Sequence, residues 1–426
     1  MIDINLLRKE KEKVRAELKK RNKEAGIVDD ILKVDKDKRE LLSKIEEQKA
    51  RQNSFSEKIH TLSGQEKQQN IIEMKAVSER IKEQEPKLKK IEKEYSRLMS
   101  SLPNISHPSV VTGKDDASNE VEKKWGEIPK FDFKPKSHIE LGEELDVIDI
   151  KRGVKVSGNR FYYLKGDLVR LEHAIIQYLF DLLAEKGFTL LNVPVLVKEK
   201  ALYGTGFFPA EKNEIYNVNP EDDDLYLIGT SEVSLASYHA DEILEEEDLP
   251  KKYFAFSSCF RREAGAYGRD TKGIFRVHQF EKVEMFQLIK EEDSWREYEK
   301  MLEIFEEILQ RLEIPYQRVL LSTGDISQQS AKTTDLEGWF PSQEKYRELG
   351  SGSNTTTFQS RRLNIRYQDK NKKKHFAHLM NCTAAAMPRL LICILENYQQ
   401  KDGSVIVPQV LRPYFSGKDV IKKSNS

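Results

Sequence analysis

The sequence predicts an α+β fold in two parts: a body built on an antiparallel sheet with flanking helices, and an N-terminal arm of two helices paired as an antiparallel coiled coil. Three observations predict it. Apolar residues recur at heptad spacing through the first hundred residues, hairpin-like strand runs replace repeating βαβ units in the rest, and a turn-rich stretch near Leu102 separates the two.

In the arm the apolar positions step Ile31, Val34, Leu41, Ile45, Phe55, Ile59 and Leu62, a heptad seam interrupted by polar Lys38, Gln48 and Gln52. A second seam runs Met74, Val77, Ile81, Gln84, Leu88, Ile91, Tyr95 and Leu98. Between them TLSGQEKQQ supplies a turn, so the chain doubles back and the helices pair antiparallel. Each helix is expected to extend roughly 45 to 50 Å at 1.5 Å per residue, too thin a projection to bury a core of its own. Pro86 lacks an amide hydrogen and predicts a kink in the second helix. Taken alone, such an arm reads as a generic dimerisation coiled coil.

From about Leu102 the segment PNISHPSVVTGKDDASNEVEKKWGEIP is rich in turn formers and reads as a linker, giving an arm of residues 1–110 and a body of 111–426. The body mixes helical segments such as Leu171–Lys186 with β-rich runs at Tyr253–Phe260, Phe275–Leu288, Leu363–Tyr367 and Phe376–Met380. The last two flank the turn QDKNKKK and read as a hairpin. Hairpins favour an antiparallel sheet over a Rossmann body.

At 426 residues the chain exceeds one typical domain. Charged residues make up 33% and mean hydropathy is -0.65, yet the net charge is +0, so nucleic-acid contact falls to local patches and not to a global basic field. The start, MIDINLLRKEKEKVRAELKK, is a charged amphipathic helix without a signal peptide's apolar core, and no apolar run reaches membrane-spanning length. A cytoplasmic protein with no membrane partner is expected. Cys259, Cys382 and Cys393 are too few for a disulfide framework and lack CxxC spacing, so they are expected to be buried thiols, with no zinc site. His375 and His378 would point to opposite faces of a strand and do not pair as ligands.

Residues 260–280, FRREAGAYGRDTKGIFRVHQF, carry the densest chemistry. Arg261 and Glu263 are expected on one strand, and Arg276, Phe280 and Glu284 recur four apart, which puts them on one face if the returning segment is extended. Guanidinium forks suit polyphosphate oxygens, an aromatic plate suits a purine base, and a carboxylate accepts from an amino group. That combination suggests nucleotide binding without a P-loop. An Arg-rich hairpin taken alone reads first as a solvated surface loop, and what overturns that is the motifs around it. His278 within this stretch is expected to bond the backbone and not to act as a base.

FRREAG followed by GRDTKGIFRVHQFEKVE resembles motif 2 of the seryl-tRNA synthetases of bacterial type, a class II aminoacyl-tRNA synthetase family. KVSGNRFYYLKGDL, GTGFFP, LYLIGTSEV, YRELGSGSN, NCTAAAMPRLLICILENYQ and DGSVIVPQVLRP follow the same family in the same order, so the resemblance covers nearly the whole chain. It implies the class II fold, a homodimer with Pro194 near its interface, and ATP-dependent attachment of L-serine to serine tRNA through seryl-adenylate, with selenocysteine tRNA as a further substrate where present. The arm then resembles the one with which the family grips tRNA, and Arg39, Lys44, Lys49, Arg51, Lys58 and Lys67 are candidates for its phosphates, although interleaved glutamates leave most of those charges solvated.

The resemblance also assigns roles. It implies catalytic Arg261, Glu263, Arg276 and Arg389, the first on the α-phosphate and substrate carboxylate, the last two on the triphosphate. It adds Arg262, Val277, Phe280, Glu348, Leu349, Gly350 and Ser351 to the ATP site, with Phe280 under adenine and with Glu348 and Ser351 holding magnesium, a hard cation that takes oxygen donors. Thr230, Ser231, Glu232, Glu284 and Thr383 are implied for serine. No general base is needed, because serine's carboxylate is already an anion; aligning it and neutralising phosphate charge suffices. The chain departs from common family spellings at Gly229, often proline, at Gly352, often cysteine, and at Cys382 and Thr383, where glycine and serine are frequent. Two rival readings stand open but well behind on the residues. A homologue that loads a carrier protein would lack the arm, and a catalytically dead paralogue would have lost Arg261, Arg276 or Arg389.

Overall fold

The computed structural model describes residues 1–60, 62–222, 224–264, 270 and 272–423. Residue 61, in the expected arm turn, and residues 265–269 and 271, in the arginine-rich loop, lie outside the described residues. The chain forms two compact units: Ile2–Pro103, and Asn104–Ser426 together with Met1.

In the first unit two short helices, Ile4–Lys9 and Lys11–Lys20, precede α1 (Ile27–Lys58) and α2 (Gly64–Ser101). The long helices run antiparallel: Lys38 pairs with Glu92, Lys49 with Glu85 and Arg51 with Glu73, so position rises on one helix as it falls on the other. Ile45, Val77 and Ile81 form the buried heart of the seam, with Leu41, Met74 and Leu88 partly buried around them. The polar heptad positions have a visible cost, since Gln48 and Gln84 each leave a buried amide oxygen without a partner. At the base, Asp35 accepts from Arg8 at 2.6 and 2.9 Å and from Arg39 at 3.1 Å, tying the first helix to α1. The second helix is longer than expected: its 38 residues reach about 57 Å, and Pro86 lies inside it without ending it.

The second unit is organised on one eight-stranded sheet. Its strands are β1 (Glu120–Trp125), β2 (Thr189–Leu190), β3 (Lys251–Phe260), β4 (Gln279–Ile289), β5 (Tyr316–Leu320), β6 (Lys332–Phe340), β7 (Lys345–Thr356) and β8 (His378–Ala386). They lie in the order β1-β5-β6-β7-β8-β4-β3-β2, antiparallel throughout except for the parallel β2–β3 edge. The segment read as linker is therefore structural. It supplies β1, and the Asn104 amide donates to the carbonyls of Gln329 at 3.0 Å and Thr355 at 2.8 Å.

Three helices, α3 (Asp167–Glu185), α4 (Ser294–Arg311) and α5 (Met387–Asn397), join one face of the sheet in the main core, with Leu171, Leu302, Phe305 and Leu391 fully buried. The strands supply Val283 and Met285 of β4 and Met380, Cys382 and Ala384 of β8 to the same core. The expected hairpin exists as Arg366–Gln368 paired with Lys374–Phe376, but it forms a separate small sheet, and the central strand β8 starts only at His378.

Candidate active site

Side chains alternate between faces along a strand, so the residues between those core positions point to the opposite side of the sheet. On β4 these are Phe280, Lys282 and Glu284. Register then sets Thr383 of β8 beside Glu284, Asn381 beside Ser353 of β7, and Thr333 and Asp335 of β6 beside Ser353 and Ser351. Polar side chains from four strands thus share one floor. Farther along the same face Phe286 and Leu288 turn apolar, packing with Leu235 and Leu363 of the short helices Glu232–Ser237 and Phe358–Leu363. Above the floor is a cavity of about 500 Å³.

Thr230, Glu232, Arg261, Glu263, Arg276, Val277, Phe280, Glu284, Glu348, Leu349, Gly350, Ser351, Thr383 and Arg389 all line this cavity. Two residues named with them do not. Ser231 is buried behind the lining with an unpartnered hydroxyl, and Arg262 is fixed through its backbone amide to the Glu214 carbonyl at 2.9 Å. The expected strand placement also needs correction. β3 ends at Phe260, so Arg261 and Glu263 lie in the loop beyond it, and Glu263 takes a left-handed backbone (φ 51°). Arg276 likewise precedes β4 and reaches the cavity from a loop. The two loops are joined by the Arg261 amide donating to the His278 carbonyl and the His278 ring to the Arg261 carbonyl, each at 2.9 Å, which gives His278 its backbone role.

Each arginine is held ready by a protein acceptor. Arg261 Nε donates to the Gly229 carbonyl at 3.1 Å while its guanidinium lies 5.4 Å from the Phe280 ring. Arg276 donates to Glu263 at 2.8 Å and retains a buried Nε without a hydrogen-bond partner. Arg389 pairs with Glu348 at 2.7 Å and lies 5.0 Å from the Phe275 ring. Burial works to raise the Glu348 carboxyl, but Arg389, with Arg261 and Arg276 behind it, outweighs burial and holds it below the usual carboxylate range.

The floor is acidic. Glu232 accepts from Gln359 at 2.7 Å, and burial, reinforced by the charge of Glu284, pushes its carboxyl up to about 7. Glu284 forms an ion pair with Lys282 and accepts from Thr383 Oγ1 at 3.5 Å. Asp335, opposite Ser351, has a buried Oδ1 without a partner, and burial plus the charge of Glu348 raises its carboxyl well above the usual range. Lys282, Asp335, Asn381, Ser353 and Gln329 are lining residues that the sequence reading missed. For Lys282 a signal existed, since it alternates in phase with Phe280 and Glu284; for the others it did not.

Among the described residues no group of three or more His, Cys, Asp or Glu side chains is arranged to hold a metal, and no helix is long and apolar enough to cross a membrane. The three cysteines are buried free thiols, and His375 bonds Asp369 at 3.0 Å. At Gly352 the departure noted above has a spatial partner. Gly352 faces Cys382 across β7 and β8, and a Cβ there would lie 2.6 Å from Leu302 Cδ2 and 3.1 Å from the Cys382 sulfur.

Residues 215–398 match the tRNA synthetase class II core domain (G, H, P, S and T), and residues 1–106 match the seryl-tRNA synthetase N-terminal domain. The chain is 44% identical over 424 residues to serine–tRNA ligase of Nitrosopumilus maritimus, covering 99% of this chain and 100% of that one. It is 45% identical to serine–tRNA ligase of Fervidobacterium nodosum, covering 99% of each. Among solved structures it is similar to seryl-tRNA synthetase from Pyrococcus horikoshii complexed with ATP, with a TM-score of 0.91, 40% identity and 100% of both chains covered.

Proposed function

The chain belongs to the seryl-tRNA synthetase family, and from that premise we propose that it joins serine to ATP as seryl-adenylate, releasing pyrophosphate, and then passes the seryl group to a terminal ribose hydroxyl of serine tRNA. The observation that carries this reading is the meeting of three arginines and a carboxylate-rich floor in one cavity. The arginines suit a bent triphosphate, and the floor suits an ammonium and a hydroxyl.

Arg261 aligns the α-phosphate with serine's carboxylate and neutralises charge as it builds, while Arg276 and Arg389 hold the remaining phosphates and Phe280 stacks on adenine. Glu263 and Glu348 hold Arg276 and Arg389 until the phosphates arrive. Glu284, Glu232, Thr230 and Thr383 take serine's ammonium and hydroxyl, so a substrate lacking the hydroxyl leaves buried polar groups unpaired. ATP enters as its magnesium complex. The hard oxygens of Glu348 and Ser351, with phosphate oxygens, fit that ion, and the unpartnered Asp335 oxygen opposite Ser351 fits the same donor chemistry. When bound, magnesium supplies charge neutralisation on the phosphates.

The arm binds the tRNA, selenocysteine tRNA included where present, and the protein works as a cytoplasmic homodimer with Pro194 near the interface. The test is ATP–pyrophosphate exchange without tRNA, each amino acid offered in turn. Exchange with serine alone is expected; exchange with another amino acid, or with none, overturns the reading.

A further inference from the structure

The cavity floor contains a charge that the roles above leave unused. Lys282 lies on β4 between Phe280 and Glu284, its side chain only 8% exposed and its Nζ paired with Glu284 Oε2. Glu232 is the second buried carboxylate of the cluster, held by Gln359. Around them lie Arg261, Glu211 and the thiols of Cys259 and Cys382, both raised by burial.

Two carboxylates in so dry a place do not both stay ionised without a cation; one retains a proton. Lys282 supplies that cation from the protein itself. Stability alone does not account for it, because a buried ion pair gains little over apolar packing of the same volume. Resting on the reading that Glu284 receives the amino-acid ammonium, we infer that Lys282 is a positioning residue that keeps Glu284 ionised and aimed into the cavity, so that serine meets a carboxylate and does not have to displace a proton. Lys282 touches no reacting atom and acts through Glu284.

The experiment is the pH profile of the KM for serine in ATP–pyrophosphate exchange, between about pH 6 and 8.5, for the unaltered protein, Lys282→Met and Lys282→Arg. In Lys282→Met the two carboxylates share a proton, and KM for serine rises by about tenfold for each unit that pH falls below the pair's pKa. KM for ATP stays within about twofold, since the phosphate ligands are untouched. Lys282→Arg restores the charge and the flatter profile. Profiles that run parallel, displaced by one constant factor, or an arginine variant no better than methionine, overturn the inference alone. Absence of serine-dependent exchange in the unaltered protein overturns the functional reading and this inference with it. If Lys282→Met does not fold, calorimetry on the unaltered protein near pH 8, in buffers of different ionisation enthalpy, decides: serine binding with almost no proton release supports the role, and release of about one proton per serine overturns it.

Discussion

The arm and the body bury their apolar residues in different ways, and each way suits a different task. In the arm burial is deepest among the short helices and the start of α1, where Leu7, Leu18, Val28 and Ile31 are at most 2% exposed, and along the long helices it narrows to a seam around Ile45, Val77 and Ile81, while Ile72 is 70% exposed. In the body the central strands close one face of the sheet against its helices, and that support allows the cavity side to keep Lys282, Glu232, Glu284 and Asp335 buried and in place. A narrow seam holds two helices together and gives length at little cost in residues. It does not fix side chains to the fraction of an ångström that aligned phosphoryl chemistry needs. The lesson is a division of labour: reach from the arm, geometry from the body.

The largest expected effect tests that division directly. Deleting residues 31–98 with a short connector should lower charging of serine tRNA by at least about 10³-fold, because the proposed phosphate contacts go with the arm, while seryl-adenylate formation is kept. Loss of adenylate formation in a folded deletion protein would make the arm part of the catalytic geometry and break the comparison. Next in size, Arg261→Ala should depress serine-dependent exchange by about 10² to 10³-fold with the melting temperature unchanged if, as proposed, its fork meets charge that grows in the transition state. The point charge of an ammonium is not an adequate stand-in for two aligned donors, so Arg261→Lys should rescue poorly. Near-normal exchange by the alanine variant removes Arg261 from the chemistry.

The smallest effect belongs to the arm's base. Burial tends to raise the Asp35 carboxyl, but the bonds from Arg8 and Arg39 prevail and hold it below its ordinary value. A carboxyl depressed on folding contributes stability that is present above the unfolded pKa and lost as pH falls through the folded one. Asp35→Asn should therefore loosen the arm by about 1 kcal/mol near neutrality, a low figure because Arg8 is partly in solvent. The difference from the unaltered protein should shrink as pH falls below the ordinary carboxylate value and vanish once pH has passed through the depressed folded-state pKa. Amide hydrogen exchange of Ile4–Lys9 reads this, and body amides serve as the control; an equal change in the body would mean that the two units do not unfold separately.

The heptads and the pairing of the long helices were legible in sequence because periodicity is local. So was the shared face of Phe280 and Glu284. The other half of the site was not legible. β7 reads KYRELGSGSNTT, with the Gly and Asn that strands usually avoid, and β6 reads KTTDLEGWF, with Asp, Glu and a Gly; what makes them central strands is the antiparallel run β5-β6-β7-β8, in which each strand pairs with the next. Asp335 and Ser353 gain their position from that pairing. Arg261 and Arg276 were named from motif position but put on strands, because nothing in the sequence marks the left-handed turn at Glu263 that takes the chain off the regular strand path. The stretch after Leu102 looked like a linker because turn formers dominate its composition, whereas β1 is only six residues long and owes its place to the edge of β5.

The facing pair Gly352 and Cys382 has a consequence for how such proteins diverge. Family spellings often put the sulfur at the first position and glycine at the second; this chain has them the other way round, and the two strands share a space with room for one thiol. Converting one arrangement to the other by single steps passes through a form with two thiols, overpacked against Leu302, or through one with two glycines and a hole, and each costs about 1 to 3 kcal/mol. Thr383 follows directly and lines the cavity, so either intermediate disturbs the cavity floor as well as the core. The two positions are therefore expected to change hands together across lineages, and a survey of relatives that scores each column by itself would count one inherited event as two independent oddities.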